Sequence, residues 1–187
     1  MWGHPPIFWV AQTLAAVGLI VMFWSSYSIS RKVTIVGRGL SSLFFAFEYV
    51  LLGMWSSAGV AAVNTVRGFA MAKEMSLSAR RWTMAVFLFA QTLLFVCVTG
   101  SFATPVALLP LLGSALSTIA FAFERVSRIK VFTILSSASW VTFFVISGLW
   151  VNFLGDAIGL VVAALAFRRA VKSESAVHDG AAAAATR

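Results

Sequence analysis

Long apolar stretches interrupted by short polar or basic ones dominate the chain. A helix needs roughly 20 apolar residues to cross the hydrocarbon core of a bilayer, and about 17 to 25 serve. Seven stretches meet that length, near residues 6–27, 33–54, 57–73, 82–99, 104–123, 131–149 and 150–169. Two pairs are separated only by tight turns, at Met54-Trp55-Ser56 and at Gly148-Leu149-Trp150. Fusing either pair would give a helix far longer than a bilayer is thick, so the turns are read as real. The pattern predicts an all-α, polytopic transmembrane bundle of about seven helices occupying residues 1–170. The remainder, 171–187, is short, polar or alanine-rich, and is expected to be a disordered cytoplasmic tail.

Composition supports lipid as the solvent. Of 187 residues, 60% are apolar and 11% charged, and the mean hydropathy is +0.94. A soluble domain usually carries about 25% charge to cover its surface. The net charge of +8 would point to nucleic acid if it formed a patch, but the basic residues lie in clusters between apolar runs. Membrane lipid is therefore the expected partner and nucleic acid is not. Met1-Trp2-Gly3-His4 lacks the basic start of a signal peptide, so the first run is read as a retained anchor. The single cysteine, Cys97, sits in an apolar run and provides neither a disulfide framework nor a thiolate metal site.

Charge placement tests the count of crossings. Arg31 and Lys32 fall at the first connection, with Arg38 just inside the second helix, and Lys73, Arg80 and Arg81 fall at the third, with Arg67 a little further up. Arg125, Arg128 and Lys130 fall at the fifth, and Arg168, Arg169, Lys172 and Arg187 at the end. Cytoplasmic loops collect Lys and Arg. A path of seven crossings, with the N-terminus outside and the C-terminus in the cytoplasm, places all of them on one side, and an even count breaks the pattern. Trp2, Trp9, Trp55 and Trp150 then mark the outer interface, and Trp24, Tyr27 and Trp82 the inner one.

Sliding the chain on itself by 95 residues aligns Ser41-Ser42 with Ser136-Ser137, Val50 with Val145, and Gly53-Met54-Trp55 with Gly148-Leu149-Trp150. It also aligns Ala62 with Ala157 and Val66 with Val161. The match predicts two parallel three-helix repeats, about 6–73 and 104–169, joined by a linker helix at 82–99.

The order of short motifs resembles the YgjV-type bacterial inner-membrane family. In the first half the motifs are Ala11-Gln12, Leu51-Leu52-Gly53, Asn64 and Arg67. In the second they are Leu108-Leu109-Pro110, Gly113, Ser117-Thr118, Trp140, Gly148 and Phe167-Arg168-Arg169. The three-plus-one-plus-three layout is similar to that of SWEET sugar transporters and PnuC-type vitamin-precursor transporters. That resemblance implies a small-solute transporter with a cavity between two triple-helix bundles, although fold alone does not fix function.

Ionisable and amide groups inside lipid are costly and are candidates for function. Glu48 and Asp156 fall in opposite repeats, each roughly 9 Å below the outer boundary at 1.5 Å rise per residue. They can line one cavity, as a proton-coupling or cation-attracting pair, or be hydrogen-bonded within their own bundles. Asn64 can bind a polar solute by donating and accepting together. SWEET-like transporters use an asparagine in that helix, but the repeat equivalent here is Gly159, so a symmetric pair is absent. Arg67 shares Asn64's side of the helix at i+3. It can pair with Glu48 or hold an anion, but snorkelling to the cytoplasmic surface is the favoured reading. Trp140 walls a cavity or packs in the core. Gln12 and Pro110 hold matching places in the first helices of the two halves, where a hinge would assist gating.

Other classes fare worse. His4 and His178 lie at opposite ends of the chain, and no metal-ligand cluster or Ser-His dyad can be built from them, so neither enzyme nor cofactor is expected. A light-driven pump needs a lysine in the last helix, and 150–169 has none. The competing reading is a membrane interaction or stability factor whose polar groups are consumed in packing. Homo-oligomerisation stays open.

Overall fold

The computed structural model describes residues 5–53, 55–99, 105–146 and 150–185, with side chains at 56, 98, 99, 105, 107, 150, 151 and 177–185 left undescribed. Among these residues the secondary structure is helical: α1 (Pro6–Tyr27), α2 (Arg31–Leu51), α3 (Trp55–Met71), α4 (Leu77–Thr99), α5 (Pro105–Ala122), α6 (Val126–Ile146) and α7 (Trp150–Ala185). By length and composition alone, α1, α2 and α6 are long and apolar enough to cross a membrane, and Leu108–Ala122 is a shorter apolar helix.

Local chemistry sets the boundaries. α1 opens with proline in its first turn, where the missing N–H costs nothing. The Ser30 hydroxyl accepts from the Val33 amide and starts α2; Ser76 does the same for Ala79 at the start of α4. α2 ends as the chain reaches Gly53, whose φ of 69° lies in the left-handed region that glycine adopts without penalty. Met54 and residues 147–149, which complete the two Gly-x-Trp turns, lie outside the described residues.

Each half packs in succession, α1 on α2 on α3 and α5 on α6 on α7. The halves meet along two seams, α1 against α7 and α3 against α5, which closes six helices into a ring. α4 stands outside it, bridging α3 and α5 and turning Trp82, Val86, Phe89 and Leu93 outward. Small residues permit the tightest approaches. The Gly39 and Gly68 backbones meet between α2 and α3, and Gly113 lies under the Trp140 ring between α5 and α6.

The distribution of polarity is inverted relative to a soluble bundle. Ile20, Trp24, Phe89 and Trp82 are among the most exposed side chains, whereas Lys130, Arg67, Glu48 and Gln91 are buried. A surface of this kind suits hydrocarbon, which demands that polar groups be satisfied inside.

Three cations bind the structure together at one end of the bundle. Arg31, opening α2, donates to the Met71 carbonyl at the end of α3 and to the Phe121 and Phe123 carbonyls at the end of α5, at 2.9 to 3.1 Å. Lys130, near the start of α6, donates to the Ser26 carbonyl at the end of α1 (2.6 Å) and to Thr34 of α2 (3.1 Å). Arg80 of α4 reaches the Ala122 carbonyl and Glu124. The last carbonyls of a helix lack intrahelical partners and carry its negative dipole end. The second helix of each half thus sends a cation across to the end of the first helix of the other.

The expected disordered tail is instead a continuation of α7 as far as Ala185. Glu174 accepts from the Ser127 amide (3.1 Å) and hydroxyl (2.7 Å) at the start of α6. Burial acts to raise its pKa, but the bonds from Ser127 and the nearby Arg125 prevail and hold the carboxyl below its ordinary range. The segment beyond is alanine-rich, and alanine is the best helix former.

Candidate functional site

The site is built outward from α2. Arg38 follows Arg31 by seven residues, two turns or about 10 Å along the axis, and so shares its face. The guanidinium enters the space between the halves, with Nε and Nη2 buried and without a hydrogen-bond partner. Asp156 of α7, Arg67 of α3 and Lys130 of α6 lie within its electrostatic range. Four helices therefore converge on one charged interior.

Further along α2, Glu48 is 5% exposed and its Oε2 has no partner. Its neighbour Tyr49 lies within electrostatic range of both Glu48 and Asp156. The two acids singled out from opposite halves are thus brought around one phenol, without bonding each other.

Asn64 and Arg67 belong to a second, hydrogen-bonded cluster across α3, α4 and α5. The Gln91 amide donates to Asn64 Oδ1 (3.1 Å), and the Thr118 hydroxyl lies 3.1 Å from Gln91 Oε1. Arg67 Nη1 donates to Thr118 Oγ1 (2.7 Å) and to the Ser114 carbonyl (3.0 Å), and Nη2 donates to Ser117 Oγ (2.9 Å). The Phe121 ring lies 5.0 Å from the guanidinium carbon. The favoured snorkelling of Arg67 is thereby overturned: the side chain is 3% exposed because hydroxyls and a carbonyl on α5 satisfy it inside the bundle. Pairing with Glu48 is not seen either.

The other singled-out residues do not join these clusters. Trp140 stacks on Phe144 at 5.6 Å and packs against Gly113 in the α5–α6 seam. Pro110 lies inside α5, and Gln12 is half-buried on α1. Arg38 and Lys130, by contrast, read in sequence as loop-side charges, and only the structure shows them inside.

Two open grooves lie at the basic end. One of about 460 Å³ is lined by Leu77, Ser78, Arg81 and Trp82. The other, about 450 Å³, lies between α6 and α7 around Ser127, Arg128 and Val171. Neither is lined by Arg38 or Glu48.

Apolar outside, charged inside and built of helices, the molecule is a polytopic helical membrane protein. A family model, Imp-YgjV, described as bacterial inner membrane protein, matches residues 9–174, and the chain belongs to that family. No curated protein and no solved structure matches it.

Proposed function

We propose that this inner membrane protein is a small-solute permease. In this reading α1–α3 and α5–α7 are parallel repeats about α4, with the N-terminus outside and the C-terminus in the cytoplasm. No catalytic role is assigned. The observation that carries the proposal is the burial of charge in the interior, where Arg38 of one half faces Asp156 of the other and charged atoms of Arg38 and Glu48 are left unpartnered. A bundle selected for stability alone gains nothing from such groups, because intramembrane charge is expensive and is ordinarily retained where a path needs it. Rocking of one half on the other would expose them alternately to the two sides.

A specific observation favours the competing reading, a non-transporting interaction or stability factor: the Asn64–Gln91–Thr118–Arg67 cluster is held by bonds across three helices. Flux separates the two. Proteoliposomes of the purified protein, offered radiolabelled sugars, nucleosides, carboxylates and phosphate in turn, are expected to take up at least one solute above empty vesicles. Glu48→Gln is expected to slow the initial rate about tenfold, equivalent to about 1.4 kcal/mol in the barrier. Absence of uptake for every solute class would remove the permease reading. Unchanged uptake by Glu48→Gln would remove Glu48 from the path.

A further inference from the structure

The charges between the halves do not balance. Arg38, Arg67 and Lys130 bring three positive charges together, and Asp156 is the acid within electrostatic range of Arg38. Glu48 lies ten residues further along α2, about 15 Å along the axis. Among the described residues the ion pair that forms is Arg80–Glu124, at the basic end, with Glu124 exposed. Hydrocarbon supplies no counterion, and an uncompensated cation buried in it is strongly disfavoured. Lys130 has the Ser26 carbonyl and Thr34 to receive its protons. Arg38 has no such acceptors: its Nε and Nη2 are buried and unpartnered, as are Arg67 Nε and Ser114 Oγ.

The backbone brings these donors together. Arg38 directly precedes Gly39 and Arg67 directly precedes Gly68, and these two glycines form the tightest contact between α2 and α3. A side chain at either position would hold the helices, and the guanidiniums, apart. Ser114 adjoins the pair because its carbonyl accepts from Arg67. The Nε and Nη2 edge of Arg38, with Arg67 Nε and the Ser114 hydroxyl beside it, offers unpartnered donors that match the planar or tetrahedral oxygens of a carboxylate or phosphate, which arginine holds in bidentate fashion.

We propose that the solute carried is a small oxyanion, bound between the halves by Arg38 and Arg67 with Ser114 as a further donor. The proposal rests on the permease reading and names its substrate class. The anion supplies the missing negative charge at the α2–α3 seam and faces Lys130 and Asp156 from the other half, so its binding and release would change how the halves attract each other.

Equilibrium binding to the purified full-length protein in lipid nanodiscs tests this, with inorganic phosphate and succinate as separate radiolabelled probes and glucose as the neutral comparator. Saturable binding of phosphate or succinate is expected, and the arm that binds identifies the oxyanion. Arg38→Gln is expected to weaken it at least about tenfold, and Arg67→Lys, which keeps the charge but loses the fork, by a similar factor. Arg128→Gln, at a groove near the basic end, should bind as wild type. Thermal unfolding confirms that each variant is folded; if Arg67→Lys is not, Arg38→Gln alone decides, since its Nε and Nη2 give up no hydrogen bond within the protein. Saturable glucose binding without either anion would overturn the oxyanion assignment and leave the permease reading standing. Anion binding indifferent to Arg38→Gln would overturn the site. Binding of none of the three, together with absence of uptake in the flux assay, would defeat both.

Discussion

Gly68→Val is expected to unfold the first half of the molecule, or at least to lower its stability by about 3 kcal/mol or more, at the upper end of what overpacking a tight interior costs. A Cβ at position 68 would stand 2.5 Å from the Gly39 Cα and 2.9 Å from its nitrogen. Both are backbone atoms of the facing helix, so no rotamer change relieves the clash, and α2 and α3 must separate. Separation would also part Arg38 from Arg67. Gly59→Ala is the control: its Cβ would meet only the Leu94 methyls at 3.7 Å, an ordinary contact, and the change should stay within about 0.5 kcal/mol. Thermal unfolding in detergent, followed by size exclusion of a fluorescent fusion, reads both variants. Equal stability of the two would contradict the α2–α3 seam.

Arg31→Met comes next in expected effect. One guanidinium satisfies carbonyls at the ends of both α3 and α5, and a hydrogen bond to a charged group contributes about 1.5–3 kcal/mol. Because Arg31 is half-buried at the end of the bundle, water can replace part of this, and a net loss of roughly 2–4 kcal/mol is expected after that discount. Arg31→Lys should recover less than half, since an ammonium lacks the fork that spans three acceptors. The neighbouring Lys32, which is exposed, should tolerate the same change to methionine with almost no shift in unfolding temperature. The same unfolding assay measures the series, and a matching effect at positions 31 and 32 would show that the carbonyl bonds contribute nothing.

These two sites also mark what the chain discloses before folding and what it conceals. The helices were readable because a 20-residue apolar run between charged breaks has few alternatives, and α1 runs from Pro6 to Tyr27 as its run predicts. The use of the basic residues was not readable. Arg31, Arg80 and Lys130 look like loop charges that mark one side of a membrane, yet they cap helix ends. The acceptors of Lys130 at Ser25 and Ser26 are more than 100 residues away, and no local pattern encodes that distance. Asn64 and Arg67 could be placed on one face by their spacing, whereas Gln91 and Thr118, which complete their cluster, come from two other helices. Arg38 was passed over because a residue near a helix start reads as interfacial. Its interior position follows from the ring of helices, which brings α6 and α7 in front of it. The bond that ties residue 174 to the adjacent α6 is equally hidden, because the composition after Lys172 is polar and nothing local points Glu174 at Ser127.

The proposed permease requires the charged space between the halves to open to water. Single cysteines at positions 48, 64, 156 and 176, in a chain whose Cys97 has been replaced, can be probed with a membrane-impermeant thiol reagent in intact cells and in inverted vesicles. If the permease reading holds, positions 48 and 156 label to an extent that varies with added solute, and position 176 labels from the cytoplasmic side only. No labelling at 48, 64 and 156 under any condition, or labelling at 176 in intact cells, would contradict it.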